Sequence, residues 1–320
     1  MFKLIYPEFW QKRGALAYLL WPFSILYLLA GYLRWFIAQP VKFPCKVICV
    51  GNITVGGTGK TQIVIYIAKL LKARNINFVI VTKGFGSQLK VPTLVQPYHS
   101  YEDVGDESII LAKYGTVIAA KNIQSILTLV NKLKPSVILV DDSLQNPNFY
   151  KDCTIITVDG SRLFGNEFLL PAGPLRQYPK TAFKKANIVI FIDINDNDNY
   201  HYHDIDQILT AQIVPTIKLD VTKNYFAFCG IGNPQRFFAT LRNYGIKLAG
   251  CKIFPDHHNY STQDFKYLQE QAIALNAILI TTRKDFVKIP ADTIPSICCD
   301  VELSFNDPTK LENLIDAKIF

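Results

Sequence analysis

Charge is scarce in this chain: Asp, Glu, Lys and Arg make up 19% of 320 residues, against 49% hydrophobic residues. That balance excludes a disordered chain, which needs low hydrophobicity and high charge. The seven cysteines (Cys45, Cys49, Cys153, Cys229, Cys251, Cys298 and Cys299) are odd in number and form no C-x-x-C pair. This argues against a disulfide framework or a zinc ribbon. Most of them fall in apolar runs and read as small buried hydrophobes, so a reducing compartment is expected. No internal repeat is present, and the 17 glycines and 17 prolines follow no period, which excludes a fibrous or low-complexity chain. No basic helix or base-stacking motif supports nucleic-acid binding.

Acidic residues are the scarcer sign, 26 against 34 basic ones, giving a net charge of +8. The excess is concentrated at the front. Residues 1–50 carry Lys3, Lys12, Arg13, Arg34, Lys42 and Lys46 against Glu8 alone, a net +5. They also hold all three tryptophans and 12 of the 40 aromatic residues. A basic, aromatic, apolar segment of this kind suits an anionic bilayer surface.

From Gly14 to Leu33, 20 residues carry no formal charge, just enough to cross a bilayer at about 1.5 Å per residue. Four readings are open. A secretory signal lacks a small-x-small cleavage site. A transmembrane span has basic residues at both ends and Pro22 inside it. A buried core helix also passes the length test. A helix or helical pair dipping into one leaflet fits best.

After Pro44, apolar strands alternate with helices. Strands are expected at 46–51, 78–82, 116–119, 137–140, 153–158 and 188–192, with helices at 60–72, 107–114 and 122–133. Continuous apolar strands of this kind indicate a mostly parallel sheet covered on both faces. A polar stretch at 193–206 superficially suggests a calcium loop. Its sixth position is Asp198 where glycine is needed, and its twelfth is Asp204 rather than Glu. His201 and His203 there lack metal-ligand spacing, and an exposed loop is the better reading. A second α/β stretch begins near Tyr225, with strands expected at 225–229, 246–253, 277–281 and 296–303 and a helix at 262–275. At roughly 150 residues per domain, two domains are expected.

Thr54-Val55-Gly56-Gly57-Thr58-Gly59-Lys60-Thr61 matches the phosphate-binding loop G-x-x-x-x-G-K-[ST] in all but its first glycine. It stands after a strand and before a helix, as the motif requires. The glycines let successive N–H groups turn toward a phosphate, and the helix N-terminus adds favourable partial charge. Lys60 then reaches the β- and γ-phosphates, and the Thr61 hydroxyl ligates Mg²⁺. Asp141 ends a buried strand followed by Asp142, the place of the magnesium-holding acid in P-loop enzymes. ATP and Mg²⁺ are therefore the expected cofactors. A GTPase is disfavoured, because Thr282-Arg283-Lys284-Asp285 has its lysine one place late for a guanine-reading motif.

In order along nearly the whole chain, these segments resemble the tetraacyldisaccharide 4′-kinase (lipid A 4′-kinase) family. The matching pieces are VGNITVGGTGKT (50–61), TKGFG (82–86), VGDES (104–108), DDSLQN (141–146), LLPAGPLR (169–176), GIGNPQRFFATL (230–241), FPDHHNY (254–260) and TTRKDFVK (281–288). The chain departs from the family pattern at Ser143, where glycine is usual, at Lys83, where arginine is usual, and at Gln177 and Tyr178, where Glu-Pro is usual.

The resemblance implies transfer of the γ-phosphate of ATP to the 4′-hydroxyl of a tetraacylated glucosamine disaccharide 1-phosphate, giving lipid IVA. It implies Asp106 as base with His257 as its orienting partner, His257 being favoured over His258, and Lys60 in the catalytic set. Glu107 and Asp142 join Thr61 and Asp141 as candidate metal ligands. Arg176, and less directly His258, are candidate substrate contacts. The implied location is the cytoplasmic face of a bacterial inner membrane.

The expected organisation is a membrane-associating segment (1–45), a P-loop kinase domain (46–222) and a smaller C-terminal α/β domain (223–320) that closes over the site. A membrane-attached P-loop switch ATPase is the alternative. It shares the P-loop and the anchor but gives no reason for Asp106, His257 and the 169–176 loop to occur together.

Overall fold

A computed structural model describes residues 6–194, 207–290 and 293–319. The stretch bearing His201 and His203 lies outside the described residues. Eight strands come first: β1 (Lys46–Asn52), β2 (Phe78–Thr82), β3 (Thr93–Leu94), β4 (Thr116–Ala119), β5 (Val137–Asp141), β6 (Cys153–Asp159), β7 (Ile188–Ile192) and β8 (Ile208–Pro215). Four more, β9 (Asn224–Cys229), β10 (Lys247–Ile253), β11 (Ile278–Thr282) and β12 (Ser296–Cys299), form a separate sheet in the order β10-β9-β11-β12. The last, β13 (Val301–Phe305), returns to the first sheet, whose order is β13-β8-β7-β6-β1-β5-β2-β4-β3.

Pairing is parallel throughout except at the two edges, where β13 runs antiparallel to β8 and β3 to β4. A mixed α/β fold built on a mostly parallel sheet is thus the observed architecture. The central strands β1, β5, β6 and β7 are buried almost end to end. Their Val- and Ile-rich runs fit strands covered on both faces.

The helices are α1 (Ala15–Phe36), α2 (Lys60–Ala73), α3 (Tyr101–Val104), α4 (Asp106–Leu111), α5 (Leu127–Leu133), α6 (Pro179–Phe183), α7 (Pro234–Asn243), α8 (Thr262–Ala274), α9 (Arg283–Phe286) and α10 (Pro308–Ile319). Helix α2 lays Ile63, Val64, Ile67, Ala68 and Leu71 on the large sheet. Helix α8 starts at a full capping box, in which Ser261 and Asp264 satisfy each other's backbone N–H groups.

Several expectations differ from the structure. The single strand expected at 296–303 is two strands, β12 in the small sheet and β13 in the large one, with Asp300 between them. Helix α10 then buries Leu311, Ile315 and Ile319 in the core of the large sheet. Residues 301–319, assigned by sequence to the C-terminal unit, therefore pack with the P-loop sheet. The apolar surface that β13 and α10 bury is the physical reason, at about 1.5–3 kcal/mol per large side chain. Strand β8 and helices α7 and α10 had no counterpart in the sequence reading. The helix expected at 122–133 begins as a 3₁₀ turn at Ile123–Ile126, and the one expected at 107–114 ends at Leu111.

The N-terminal segment is one continuous helix, α1, with Pro22 inside it, rather than a helical pair. A buried core helix is also overturned. Only Ala17 and Ser24 of α1 are buried, while Leu19 is 70% and Phe36 88% exposed. Trp10, grouped by sequence with the membrane-boundary tryptophans, is buried, and its indole N–H donates to Pro171 O at 3.0 Å.

Candidate active site

Residues 53–59 join β1 to α2. Gly56 and Gly59 have φ of +108° and +88°, a backbone region open to glycine at no steric cost. A Cβ on Gly59 would also meet Ile192 Cδ1 at 2.7 Å. The buried Thr58 hydroxyl lies 2.6 Å from that of Thr157 on β6, and Asn52 Nδ2 donates to Gly56 O at 3.3 Å. Thr54 bridges to Leu175, and Val55 N–H donates to Pro174 O at 2.8 Å. The 169–176 loop is thereby fixed beside the phosphate loop. Lys60 and Thr61 open α2.

Register places the acids. Val50 on β1 pairs with Asp141 on β5, so Asp141 sits beside the root of the phosphate loop. It is 2% exposed, and neither of its carboxylate oxygens has a hydrogen-bond partner. Burial, then the nearby Glu107 charge, push its carboxyl well above the usual range, against the pull of Lys60. Asp142, with φ of +50°, turns the other way. Its carboxylate meets Lys60 Nζ at 3.7 Å and Arg176 Nη1 at 3.3 Å. Burial opposes ionisation there, but Lys60, Arg176 and Lys83 outweigh it and hold the carboxyl at about 2.

Asp106 opens α4 immediately after Gly105, whose φ is +89° and where a Cβ would meet Gly84 backbone at 2.9 Å. This close approach of two chain segments sets the Asp106 side chain. It is 4% exposed. Its Oδ1 accepts the Glu107 N–H at 2.8 Å, and its Oδ2 lies 3.0 Å from His257 Nδ1 and 3.3 Å from Lys288 Nζ. Burial alone would raise this carboxyl. The His257 hydrogen bond and the Lys284 and Lys288 charges reverse the sign and hold it well below the ordinary range.

The small sheet supplies the opposite wall. His257 follows β10 with φ of +56°, its N–H donating to Gly230 O at 3.1 Å, and its ring lies 4.6 Å from that of Phe85. His258 points elsewhere, to Asp264 Oδ2 at 3.0 Å, and stacks on Phe254. Of the two histidines, the structure brings His257 to Asp106.

The 230–236 segment covers the phosphate loop. A Cβ on Gly232 would come 2.7 Å from Gly57 N, and Arg236 Nη2 donates to Gly57 O at 3.2 Å. Asn233 Nδ2 donates to the buried Asp159 Oδ2 at 2.7 Å, and Arg162 Nη1 to Gly232 O at 3.0 Å. A cleft of about 600 Å³ opens beside this contact, lined among others by Arg162, Asp193, Gln212, Asn233, Arg236 and Tyr244.

Sequence reasoning gave Lys284 and Lys288 no role in the site: Lys284 entered only as the misplaced lysine of a guanine-reading motif, and both lay in the 281–288 match. Lys284 Nζ lies 2.9 Å from His257 Nε2, 3.4 Å from Asp256 Oδ1 and 3.7 Å from Glu107 Oε1. Lys288, with a 1% exposed side chain, bridges Asp106 and Asp285. Asp285 is itself held by Tyr260 OH, Thr282 OH and Gly230 N–H. The available signal was position: this segment follows β11, which neighbours β9, at the sheet end that also carries residues 254–260. Asn233 and Arg236 carried the same signal, in the 230–241 match that follows β9 at that sheet end, whereas Asp159 and Arg162 lay outside every matched segment.

A family model for tetraacyldisaccharide-1-P 4′-kinase (LpxK) matches residues 16–320. Tetraacyldisaccharide 4′-kinase of Rickettsia rickettsii (strain Sheila Smith) is 57% identical over 322 residues, covering 100% of this chain and 99% of that protein. The enzyme of the same name from Rickettsia felis is 57% identical over 322 residues, covering 98% of that protein. Among solved structures, LpxK from Aquifex aeolicus in complex with ATP superposes with a TM-score of 0.74 at 25% identity, covering 95% of this chain and all of that one.

Proposed function

Because the chain belongs to the tetraacyldisaccharide 4′-kinase family and is an ATP-dependent lipid A 4′-kinase, we propose that its transfer site is the space between Asp106, Asp141 and the phosphate loop. The observation that carries this reading is the pairing of Asp106, at the start of α4, with His257 of the small sheet across the phosphate-loop end of β1 and β5. Phosphoryl transfer is mainly positioning and charge neutralisation, and each requirement has a residue here.

The backbone N–H groups of 55–61 and the Lys60 ammonium bind the triphosphate. The cleft lined by Arg162, Asn233 and Arg236 adjoins the phosphate loop and falls within the usual size of small-molecule sites. It takes the nucleoside. Asp141 is a good magnesium ligand because both its oxygens are buried and unpaired, a costly state unless an ion compensates it. Thr61, Glu107 and Asp142 complete the set of candidate ligands. Among the described residues no group of three or more His, Cys, Asp or Glu could hold a metal ion by itself, so waters and the nucleotide phosphates would have to supply the remaining ligands. When bound, Mg²⁺ neutralises charge on the β- and γ-phosphates.

Asp106 accepts the proton of the 4′-hydroxyl and is aligned by His257. Held by the His257 ring, the Lys288 ammonium and the Glu107 N–H, the ionised carboxylate orients the hydroxyl and takes its proton as the new bond forms. Arg176, tied to Asp142, offers a guanidinium to a substrate phosphate. The 46–222 and 223–320 units act as two jaws, with residues 301–319 belonging to the first.

Helix α1 holds the enzyme on the bilayer where its lipid substrate resides. Its outward side chains are apolar. Ala17 is buried, Ser24 Oγ donates to Leu169 O at 2.7 Å, and Leu28 packs on the core beneath. Trp35 lies under Lys151 and Lys185. A helix leaning on its own protein over that length has only one side for lipid, so it rests in one leaflet rather than spanning. The face is the cytoplasmic one, where ATP is available.

The test is 4′-phosphorylation of an acylated glucosamine disaccharide 1-phosphate, with ATP turnover followed with and without that acceptor. Turnover should depend on the acceptor and leave phosphate at the 4′ position. Acceptor-independent hydrolysis with no 4′-phosphate would sink the reading and favour a switch ATPase.

A further inference from the structure

The Lys284 ammonium faces three groups: His257 Nε2 at 2.9 Å, Asp256 Oδ1 at 3.4 Å and Glu107 Oε1 at 3.7 Å. An ammonium has three N–H donors and no acceptor, so the count matches the neighbours. It decides the state of the imidazole. A donor 2.9 Å from Nε2 requires a lone pair on that nitrogen. The ring hydrogen then sits on Nδ1, 3.0 Å from Asp106 Oδ2. The opposite tautomer would set two donors against each other at Nε2 and two acceptors at Nδ1.

We propose that Lys284 is a positioning residue that holds neutral His257 in its Nδ1–H tautomer, and thereby aims the Asp106 carboxylate at the acceptor hydroxyl. The inference rests on the assignment of Asp106 as base and deepens it. With Oδ2 occupied by the His257 N–H and the Lys288 ammonium, and one lone pair of Oδ1 taken by the Glu107 N–H, the free lone pair on Oδ1 is the one left for substrate. Lys284 also links the two sheets. It stands on α9 beside the small sheet, and Glu107 stands on α4 beside the large one. Lys284 and His257 both stand on the small-sheet side, so the tautomer is set there, and closure brings its Nδ1–H to Asp106 on α4 to complete the base. Lys288 does different work, because it touches Asp106 and Asp285 and makes its remaining bond to His258 O.

The experiment is nitrogen-15 imidazole NMR on the full chain, with the His257 signal assigned from a His257→Gln sample. Transfer kinetics of Lys284→Met and Lys284→Arg accompany it. Wild type should show a protonated Nδ1 and a bare Nε2 at His257. Lys284→Met should mix or invert the tautomers and lower kcat by about tenfold or more, as a wrongly protonated catalytic histidine does, with KM for ATP unchanged. Lys284→Arg should restore the tautomer and part of kcat. A protonated Nε2 in wild type overturns the inference, as does a Lys284→Met protein with unchanged tautomer or unchanged kcat. The wild-type spectrum decides the first point even if Lys284→Met fails to fold. Full turnover by Asp106→Asn would remove the base assignment instead, without touching the tautomer result.

Discussion

Asp106 and Asp141 are both nearly buried, at 4% and 2% exposure, yet one carboxylate is crowded with donors and the other has none. Asp106 takes a histidine, a lysine and a backbone N–H. Asp141 takes nothing from the protein. Their pKa values move accordingly, Asp106 down and Asp141 up. The first centre is satisfied by the fold and needs both sheets to exist. The second lies wholly in the large sheet, and neither of its oxygens has a hydrogen-bond partner there. Under the proposed reading, the cost of that unpaired burial is borne so that a magnesium ion can bind beside the phosphate loop.

The sharpest way to break this contrast is to compare melting temperatures of two isosteric variants without ligand. Asp106→Asn should lose about 1.5–3 kcal/mol, the usual worth of a charged hydrogen bond, because His257 and Lys288 lose their carboxylate partner while Lys288 keeps Asp285. Asp141→Asn should instead melt higher by about 1–2 °C, a gain near 1 kcal/mol at the entropy of unfolding of a chain of this size, while losing transfer by about 10²–10³. If the two variants shift the melting temperature in the same direction, the contrast fails.

How much of this was legible in the sequence follows the same division. The phosphate loop, Asp141 and the central strands lie in short contiguous signals, and their placement agrees with the reading to within a residue or two. Asp106 and His257 stand in segments whose acids and histidines read locally as site candidates, but their roles and pairing were reached only through the family's motifs, since 151 residues separate them. Lys284 and Lys288 were given no role in the site because a charged run after a strand does not show that it is buried, and burial is what makes them distinctive. The Asp300 switch between sheets was invisible, since an apolar run does not say which sheet it joins. Helix α10 was legible and unread: Leu311, Ile315 and Ile319 recur at four-residue spacing, the stripe of a helix lying on a core.

Helix α1 extends the contrast from charge to apolar surface, being a second feature the protein leaves uncovered. Leu19→Lys with Leu26→Lys should weaken binding to anionic phospholipid vesicles by about tenfold or more, given about 1.5–3 kcal/mol per buried large side chain. Turnover on a detergent-dispersed acceptor should be retained. Unchanged vesicle binding would take α1 out of the membrane contact.

The smallest expected effect is in acid. The folded-state pKa of Asp142 is about 2, below the unfolded value of about 3.9. Its stabilising contribution is therefore present in full above about pH 4 and lost as pH falls through 2. Asp141 has the opposite sign, so acidification relieves its penalty. Asp142→Asn should flatten the fall in stability between about pH 4 and pH 2; an unchanged acid limb would mean that Lys60 and Arg176 do not hold this carboxylate.

The assignment at the centre of the site is that Asp106 takes the proton, and Asp106→Ala tests it most directly. With magnesium and ATP at saturation, single-turnover 4′-phosphorylation should fall by about 10²–10⁴, the range for loss of a general base, while calorimetric ATP affinity stays as in the wild type. Near-wild-type turnover in that variant, with ATP still bound, would contradict it.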